Sequence, residues 1–380
     1  MPRARNPFTY GDLVSDEAFT DREAELDQLT SDLRNGQNVA LIAPRRYGKS
    51  SLVQAALSRL HAEGVLVVAV DLMTTPTKER FAAKLAKSIH DDVTSVLVKA
   101  KDALRFFSTL RVVPSMTVDL DGSVRFSFSA SRSSADIDAT LERLLELPAE
   151  LAAEQKRELV VFFDEFQEVT AIDPHLPALM RAIFQTQANV AHLYAGSKRE
   201  MMHTLFNDEN EPFFRSAKTM EIGTIPPPLF AEFIKAQFDR TNRGVSDEAV
   251  DRLLDVTRGH PYATQEIAFA LWDEVPEGFT GTVADFEQAL AAVLRSENAR
   301  FTLVWENATQ PQKLLLQALA AEPGRPFSNG YRVAHDLPPV SGVQRALGPL
   351  VDSELVRKTP DGLYELAEPF LREWVLGYAS

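Results

Sequence analysis

The chain of 380 residues contains no cysteine. Disulfides, thiolate metal centres and cysteine nucleophiles are thereby excluded, although compartment is not decided. No apolar run approaches the ~20 residues needed to span a bilayer, so no membrane association is expected. The first residues, Met1-Pro2-Arg3-Ala4-Arg5-Asn6, form no apolar signal segment, and a cytoplasmic protein is expected. Positive charge is in deficit: 40 Lys and Arg stand against 54 Asp and Glu, a formal net charge of −14. Such a surface does not coat nucleic acid in general, and only a local basic patch is left open. Internal repeats and low-complexity tracts are also missing. The 45% hydrophobic and 25% charged residues that are present describe an ordinary globular protein, long enough for two or three domains.

The most informative segment is Ala43-Pro44-Arg45-Arg46-Tyr47-Gly48-Lys49-Ser50. It follows an apolar run, Val39–Ile42, and opens into a helical pattern with Leu52, Val53, Ala56, Leu57 and Leu60. Strand, tight loop and helix in that order make a phosphate-binding P-loop. Backbone N–H groups at a helix start carry partial positive charge towards an anion. Gly48 permits close backbone approach to phosphate oxygens. Lys49 reaches the β- and γ-phosphates, and Ser50 is placed to ligate Mg²⁺, with Ser51 next in the helix. Ala43 stands where such loops usually have their first glycine. A chance Gly-Lys-Ser in a surface turn would lack the flanking strand and helix.

Residues 158–168 read Glu-Leu-Val-Val-Phe-Phe-Asp-Glu-Phe-Gln-Glu. The apolar run Leu159 to Phe163 predicts a strand buried on both faces, as in a parallel sheet. Asp164 and Glu165 follow at its C-terminal end, where open α/β sheets bind ligands. This is a Walker B pattern, with Asp164 holding Mg²⁺ and Glu165 orienting or deprotonating the attacking water. An acidic strand end facing solvent is the bland alternative, and the P-loop upstream argues against it.

Strands are predicted at about 38–43, 65–71, 159–163, 190–195 and 219–222. Helices are predicted at 21–33, after the P-loop, and at about 77–108, 135–155 and 174–187. The alternation predicts an α/β fold with a mostly parallel, doubly wound sheet. Alternating segments 116–120 and 123–128 flank Asp121-Gly122 and predict a β-hairpin inserted near 115–130. Asp119-Leu120-Asp121-Gly122 lacks the downstream acidic ligand of a calcium loop. The Pro226-Pro227-Pro228 run marks a boundary. Beyond it four helices are predicted, Phe230–Arg240, Ser246–Thr257, Tyr262–Trp272 and Val283–Arg295, with starts at Ser246 and at Thr282 paired with Asp285. Three short helices, Gln310–Ala320, Gly330–His335 and Ser341–Ser353, then a hairpin around Pro360-Asp361-Gly362, give a winged-helix layout. The expected domains are 1–225 with the P-loop, 226–300 as a helical lid, and 301–380 as the winged helix.

These segments together resemble archaeal-type AAA+/STAND-like P-loop ATPases, a family found also in bacteria. The resemblance spans nearly the whole chain. It is carried by Asn6-Pro7-Phe8, Phe19 to Leu26, Pro44 to Leu52, Phe163 to Glu168, Gly196-Ser197, Arg258-Gly259-His260-Pro261-Tyr262 and Glu368 to Trp374. It implies ATP/ADP and Mg²⁺ as ligands. It also implies that Ser197 is a sensor-1 residue near the γ-phosphate. Phe19 and Arg22 would lie on the adenine side. His260 and Pro261 would form a lid motif beside the nucleotide; they also read as a plain helix start with proline in the first turn, and both can hold. Arg215 is a candidate arginine finger acting in trans in a self-associated form, or else a surface arginine. A sensor-2 arginine is missing, with only Arg258 beside the lid motif, and slow turnover is expected.

From Arg300 to Ser380 eight Lys and Arg face nine Asp and Glu, a net charge of −1. DNA affinity needs clustered cations, so a winged helix that docks on protein is favoured over one that binds DNA. The leading expectation is an ATP-hydrolysing switch. The alternatives are an ATP-dependent DNA-binding regulator and a non-hydrolysing ATP-binding scaffold.

Overall fold

The computed structural model describes residues 5–11, 22–96, 115–118, 124–127, 134–359 and 361–378. They form two units, Arg22–Gly223 and a second made of Thr224–Ser380 with the N-terminal lead-in.

The first unit runs α1 (Glu23–Arg34), β1 (Val39–Ile42), α2 (Lys49–Ala62), β2 (Leu66–Asp71), α3 (Lys78–Val96), β3 (Ser115–Val118) and β4 (Val124–Ser127). It continues with α4 (Ser134–Gln155), β5 (Leu159–Asp164), α5 (Val169–Ile172), α6 (Leu176–Phe184), β6 (Val190–Gly196), α7 (Arg199–Asn207) and β7 (Lys218–Glu221). Five strands pair in the order β2-β5-β6-β1-β7, and every pairing is parallel. All residues of β1 and β6 are buried, which requires cover on both faces and accounts for their apolar sequence, His192 of β6 being the exception. The doubly wound parallel sheet expected from the alternation is thus present.

The strand order decides the site. The P-loop strand β1 and the Walker B strand β5 are not neighbours; β6 lies between them. The C-terminal ends of all three strands therefore open on one edge, with Gly196-Ser197 in the middle. β3 and β4 pair antiparallel, Ser115 opposite Ser127 and Val118 opposite Val124, as a hairpin requires. The turn expected at Asp121-Gly122, and the continuation of α3 expected to 108, lie outside the described residues. The core beneath the site is aromatic: Phe166 lies 4.6 Å from Tyr194, and Tyr194 stacks on Phe163 at 6.0 Å.

The second unit contains α8 (Pro227–Asp239), β8 (Gly244–Val245), α9 (Asp247–Thr257), α10 (Pro261–Glu274), β9 (Thr280–Gly281) and α11 (Val283–Asn307). The winged-helix elements follow: α12 (Gln310–Ala321), α13 (Asn329–Ala334), α14 (Val340–Asp352), β10 (Val356–Lys358), β11 (Tyr364–Leu366) and α15 (Pro369–Tyr378). Two predicted starts carry side-chain caps. Ser246 Oγ accepts from the Ala249 N–H at 3.2 Å, and Thr282 with Asp285 forms a capping box. α11 runs 12 residues beyond the expected Arg295, to Asn307, because neither Pro nor Gly interrupts it until Thr309-Gln310-Pro311 opens the next helix. Residues 5–11 pack in this unit, although the sequence placed them with the P-loop domain. Phe8 is the reason: it is 2% exposed and its ring lies 5.5 Å from that of Phe238. The Asn6 amide donates to the Phe269 carbonyl at 3.0 Å.

Candidate nucleotide site

The loop after β1 leaves the sheet at Ala43, which is fully buried and whose N–H donates to the Gly196 carbonyl at 3.2 Å. A side chain as small as alanine fits there, so the departure from glycine leaves the strand end intact. Tyr47 is buried, 2% exposed, while Arg45 and Arg46 are exposed and Pro44 is half-buried. Gly48 caps α2 with φ 84°, in the left-handed region that favours glycine. Gly48, the N-cap residue, has no side chain with which to cap the first-turn N–H groups of α2. Ser50 is exposed and Ser51 buried in that first turn.

Lys49 joins the two motifs. It is 8% exposed, and its Nζ donates to Asp164 Oδ1 and Glu165 Oε1, each at 2.6 Å. Asp164 ends β5 in register with Asp71 of β2. Glu165 then takes φ 50° and ψ 46°, a left-handed conformation costly for any residue but glycine. Such strain persists where surrounding contacts hold it, and it turns the chain sharply so that the carboxylate faces Lys49. Burial alone would raise the Glu165 pKa. Hydrogen bonds from Lys49, Gln167 and Ser197 outweigh that effect and hold the carboxyl below its usual range. Ser197, 4% exposed at the end of β6, donates from Oγ to Glu165 Oε2 at 2.8 Å.

The structure therefore brings together Ala43 to Ser51, Asp164, Glu165 and Ser197. The remaining candidates stand elsewhere. Arg22 is buried at the head of α1, where its guanidinium is engaged by Glu25 Oε1 at 2.7 Å and the Gly223 carbonyl at 2.5 Å. Phe19 lies outside the described residues. Arg215 is exposed in the turn before β7, with φ 51° and its guanidinium 5.1 Å from the Phe214 ring centre. His260 and Pro261 belong to the second unit, where His260 Nδ1 accepts from the Ala263 N–H at 3.2 Å as N-cap of α10 and Pro261 is its first residue. The helix-start reading of that pair is thus present in the geometry.

The profile of a family described as an ATPase domain predominantly from Archaea matches residues 19–267, well over half of the chain. The chain belongs to this ATPase family. A second profile, a probable winged helix domain, matches residues 299–377. The ATPase is similar in fold to the Walker-type ATPase PABY2304 of Pyrococcus abyssi, with TM-score 0.64 and 18% identity over 96% of this chain and 99% of that one. It is also similar to the Aeropyrum pernix ORC2 protein solved in ADPNP–ADP complexes, with TM-score 0.54 and 13% identity over 98% and 100% of the two chains. A search of curated protein sequences finds no match.

One residue of the ATPase site escaped the sequence reading. Gln167 is fully buried in the 3₁₀ turn Phe166–Glu168, and its Nε2 donates to Glu165 Oε2 at 2.5 Å. The available signal was its place two residues after Glu165, between Phe166 and Glu168 in the turn that follows the carboxylate pair. The donor set fits nucleotide and Mg²⁺. Ser50 and Asp164 offer hard oxygen donors, and Mg²⁺ is usually held by one or two such protein groups together with phosphates and water. Lys49 and the uncapped α2 terminus offer what a phosphate needs.

Proposed function

We propose that this protein is an ATP-hydrolysing switch that couples its nucleotide state to the C-terminal winged helix, acting in the cytoplasm where ATP is supplied. The observation that carries the reading is Lys49, held at 2.6 Å from both Asp164 and Glu165 beside an uncapped helix start. Ser50 and Asp164 would hold Mg²⁺, which would supply neutralisation of phosphate charge. The N–H groups of α2 and the Lys49 ammonium bind and orient the phosphates; phosphoryl transfer is mostly positioning and charge stabilisation. Glu165, held ionised, orients the attacking water and accepts its proton. Ser197 touches the same carboxylate and sits where the outermost phosphate is sensed. A three-part division at about 226 and 300, with the middle part as the lid, goes with this reading, as does turnover slow enough for a switch. Arg215, exposed on the first unit, is available to a second copy as a finger in trans.

The test is Glu165→Gln. It is expected to retain ATP affinity by calorimetry while phosphate release slows by at least ~100-fold, the scale of a positioned general base. Unchanged phosphate release in that variant, with the parent active, removes Glu165 from the reaction. No release from the parent itself points instead to the non-hydrolysing scaffold. The near-neutral winged helix supports a protein partner or self-association. A salt-dependent shift of duplex DNA by the protein would replace that partner with nucleic acid.

A further inference from the structure

Glu165 has two carboxylate oxygens, and both are taken. Lys49 Nζ donates to Oε1 at 2.6 Å, while Oε2 receives Gln167 Nε2 at 2.5 Å and Ser197 Oγ at 2.8 Å. Lys49 and Ser197 belong to recognised motifs of the site. Gln167 does not, and its environment is unusual for a core residue. It has no solvent exposure, and no donor among the described residues reaches its Oε1. A buried amide oxygen left unpaired costs about 1–3 kcal/mol, so an apolar residue of the same size would serve packing better. Space has also been left for the amide. A Cβ on Gly196 would stand 2.5 Å from Gln167 Oε1 and 2.4 Å from Met202 Sδ, so the glutamine in this rotamer occupies room that the glycine at the end of β6 leaves open.

We infer that Gln167 is a positioning residue for hydrolysis: its amide fixes the rotation of the Glu165 carboxylate, so that the carboxylate meets the attacking water in one orientation. The inference rests on the reading of Glu165 given above. Glu165 sits on a left-handed backbone, and its Oε2 accepts from the Gln167 amide two residues on. Lys49 is also the residue that must engage phosphate, so it is a poor permanent anchor for Oε1. Gln167 comes from the same turn as Glu165 and needs no nucleotide to hold it. It therefore supplies the contact that persists while Lys49 exchanges partners.

The test compares Gln167→Met, which keeps the volume and removes the donor, with Gln167→Leu as a second variant of different shape. Steady-state phosphate release, ATP affinity by calorimetry and thermal stability are measured on the full chain. The expected result is kcat lower by roughly 10- to 100-fold, the scale of a small misplacement, with KM and ATP affinity within about twofold and stability unchanged or raised. Adding Gln167→Met to Glu165→Gln is expected to cause no further loss, because a residue acting through Glu165 has nothing left to position. The inference is overturned if kcat is unchanged in both Gln167 variants while Glu165→Gln is inactive. It is overturned equally if the loss appears in KM and stability, or if it adds to that of Glu165→Gln; Gln167 is then a packing residue. An active Glu165→Gln sinks the role of Glu165 itself, and this inference with it, and only that arm reports so.

Discussion

At the residue scale the site is one ammonium between two carboxylates, and each partner fails differently when removed. Lys49→Ala leaves Asp164 and Glu165 facing each other with their shared cation gone, and removes the lysine proposed to bind the phosphates. ATP binding is expected to fall below calorimetric detection. Asp164→Ala is expected to abolish the dependence of ATP affinity on Mg²⁺ while Glu165→Gln preserves it. Identical behaviour of those two variants would show that the division of labour between the carboxylates is wrong. A second residue carries a pH effect with a definite sign. His192 is fully buried in β6, stacked 4.0 Å from Phe184, with Nδ1 against Asn38 and Nε2 without a hydrogen-bond partner among the described residues. Burial pushes its pKa down to about 3. The unfolded chain, with an ordinary value near 6.5, binds a proton that the folded chain refuses. Its contribution to stability is intact above about pH 6.5 and is lost below it, by about 1.4 kcal/mol per pH unit. Urea midpoints of the parent and His192→Gln at pH 5, 6 and 7 test this: the parent is expected to lose more stability on acidification, and parallel slopes refute it.

At the scale of elements, what could be read from sequence was what is local in sequence. The P-loop and the Walker B strand each lie within a dozen residues and carry their own periodicity, so strand, loop and helix were legible together. Gln167 was not, because its meaning depends on Gly196 of β6, a strand that reaches it only through the sheet order. The helix α7 was also missed, since Arg199–Asn207 is short and follows Gly196-Ser197 without a capping side chain. Phe8 read as part of the P-loop domain because chain order is a poor guide to long-range burial. The turn between α9 and α10 offers the sharpest test at this scale. Gly259 has φ +71°, and a Cβ there would lie 2.2 Å from the Ile225 carbonyl oxygen, which belongs to a backbone that cannot swing away. Ile225 N–H in turn donates to the Gly259 carbonyl at 2.9 Å. Gly259→Ala is therefore expected to destabilise the second unit by at least ~2 kcal/mol in chemical denaturation, combining a left-handed alanine with a backbone clash. Gly278→Ala is the control, because Gly278 shares the positive φ but has open space around it. It is expected to show the conformational cost alone, and equal losses in the two variants would mean the contact with Ile225 is immaterial.

At the scale of the whole molecule the question is whether nucleotide state reaches the winged helix. The second unit contains a route within itself. Arg258, left-handed at the end of α9, places its guanidinium 3.5 Å from Glu365 of β11, and Arg357 of β10 holds the other oxygen of that carboxylate at 2.7 Å. Thr257, Arg258 and His260 line a small cavity together with Glu365, Pro369 and Arg372. The turn that carries the Gly259-His260-Pro261 motif is thus in direct contact with the wing. Arg258 is 40% exposed, and ion pairs at such exposure contribute about 0–1 kcal/mol, so this contact can be made and broken within the reach of a ligand. A ligand shifts a conformational equilibrium only by its difference in affinity for the two states. If ATP and ADP favour different placements of the turn, the wing and the α14 helix behind it follow. Hydrogen exchange across 341–355 is therefore expected to differ between the ATP-bound and ADP-bound forms of Glu165→Gln, and Glu365→Gln is expected to reduce that difference without changing nucleotide affinity. Equal protection in the two forms, with occupancy confirmed, would uncouple the winged helix from the nucleotide and leave an ATPase with a tethered binding module. A difference that survives Glu365→Gln would keep the switch and move its route to other contacts between the motif and the wing.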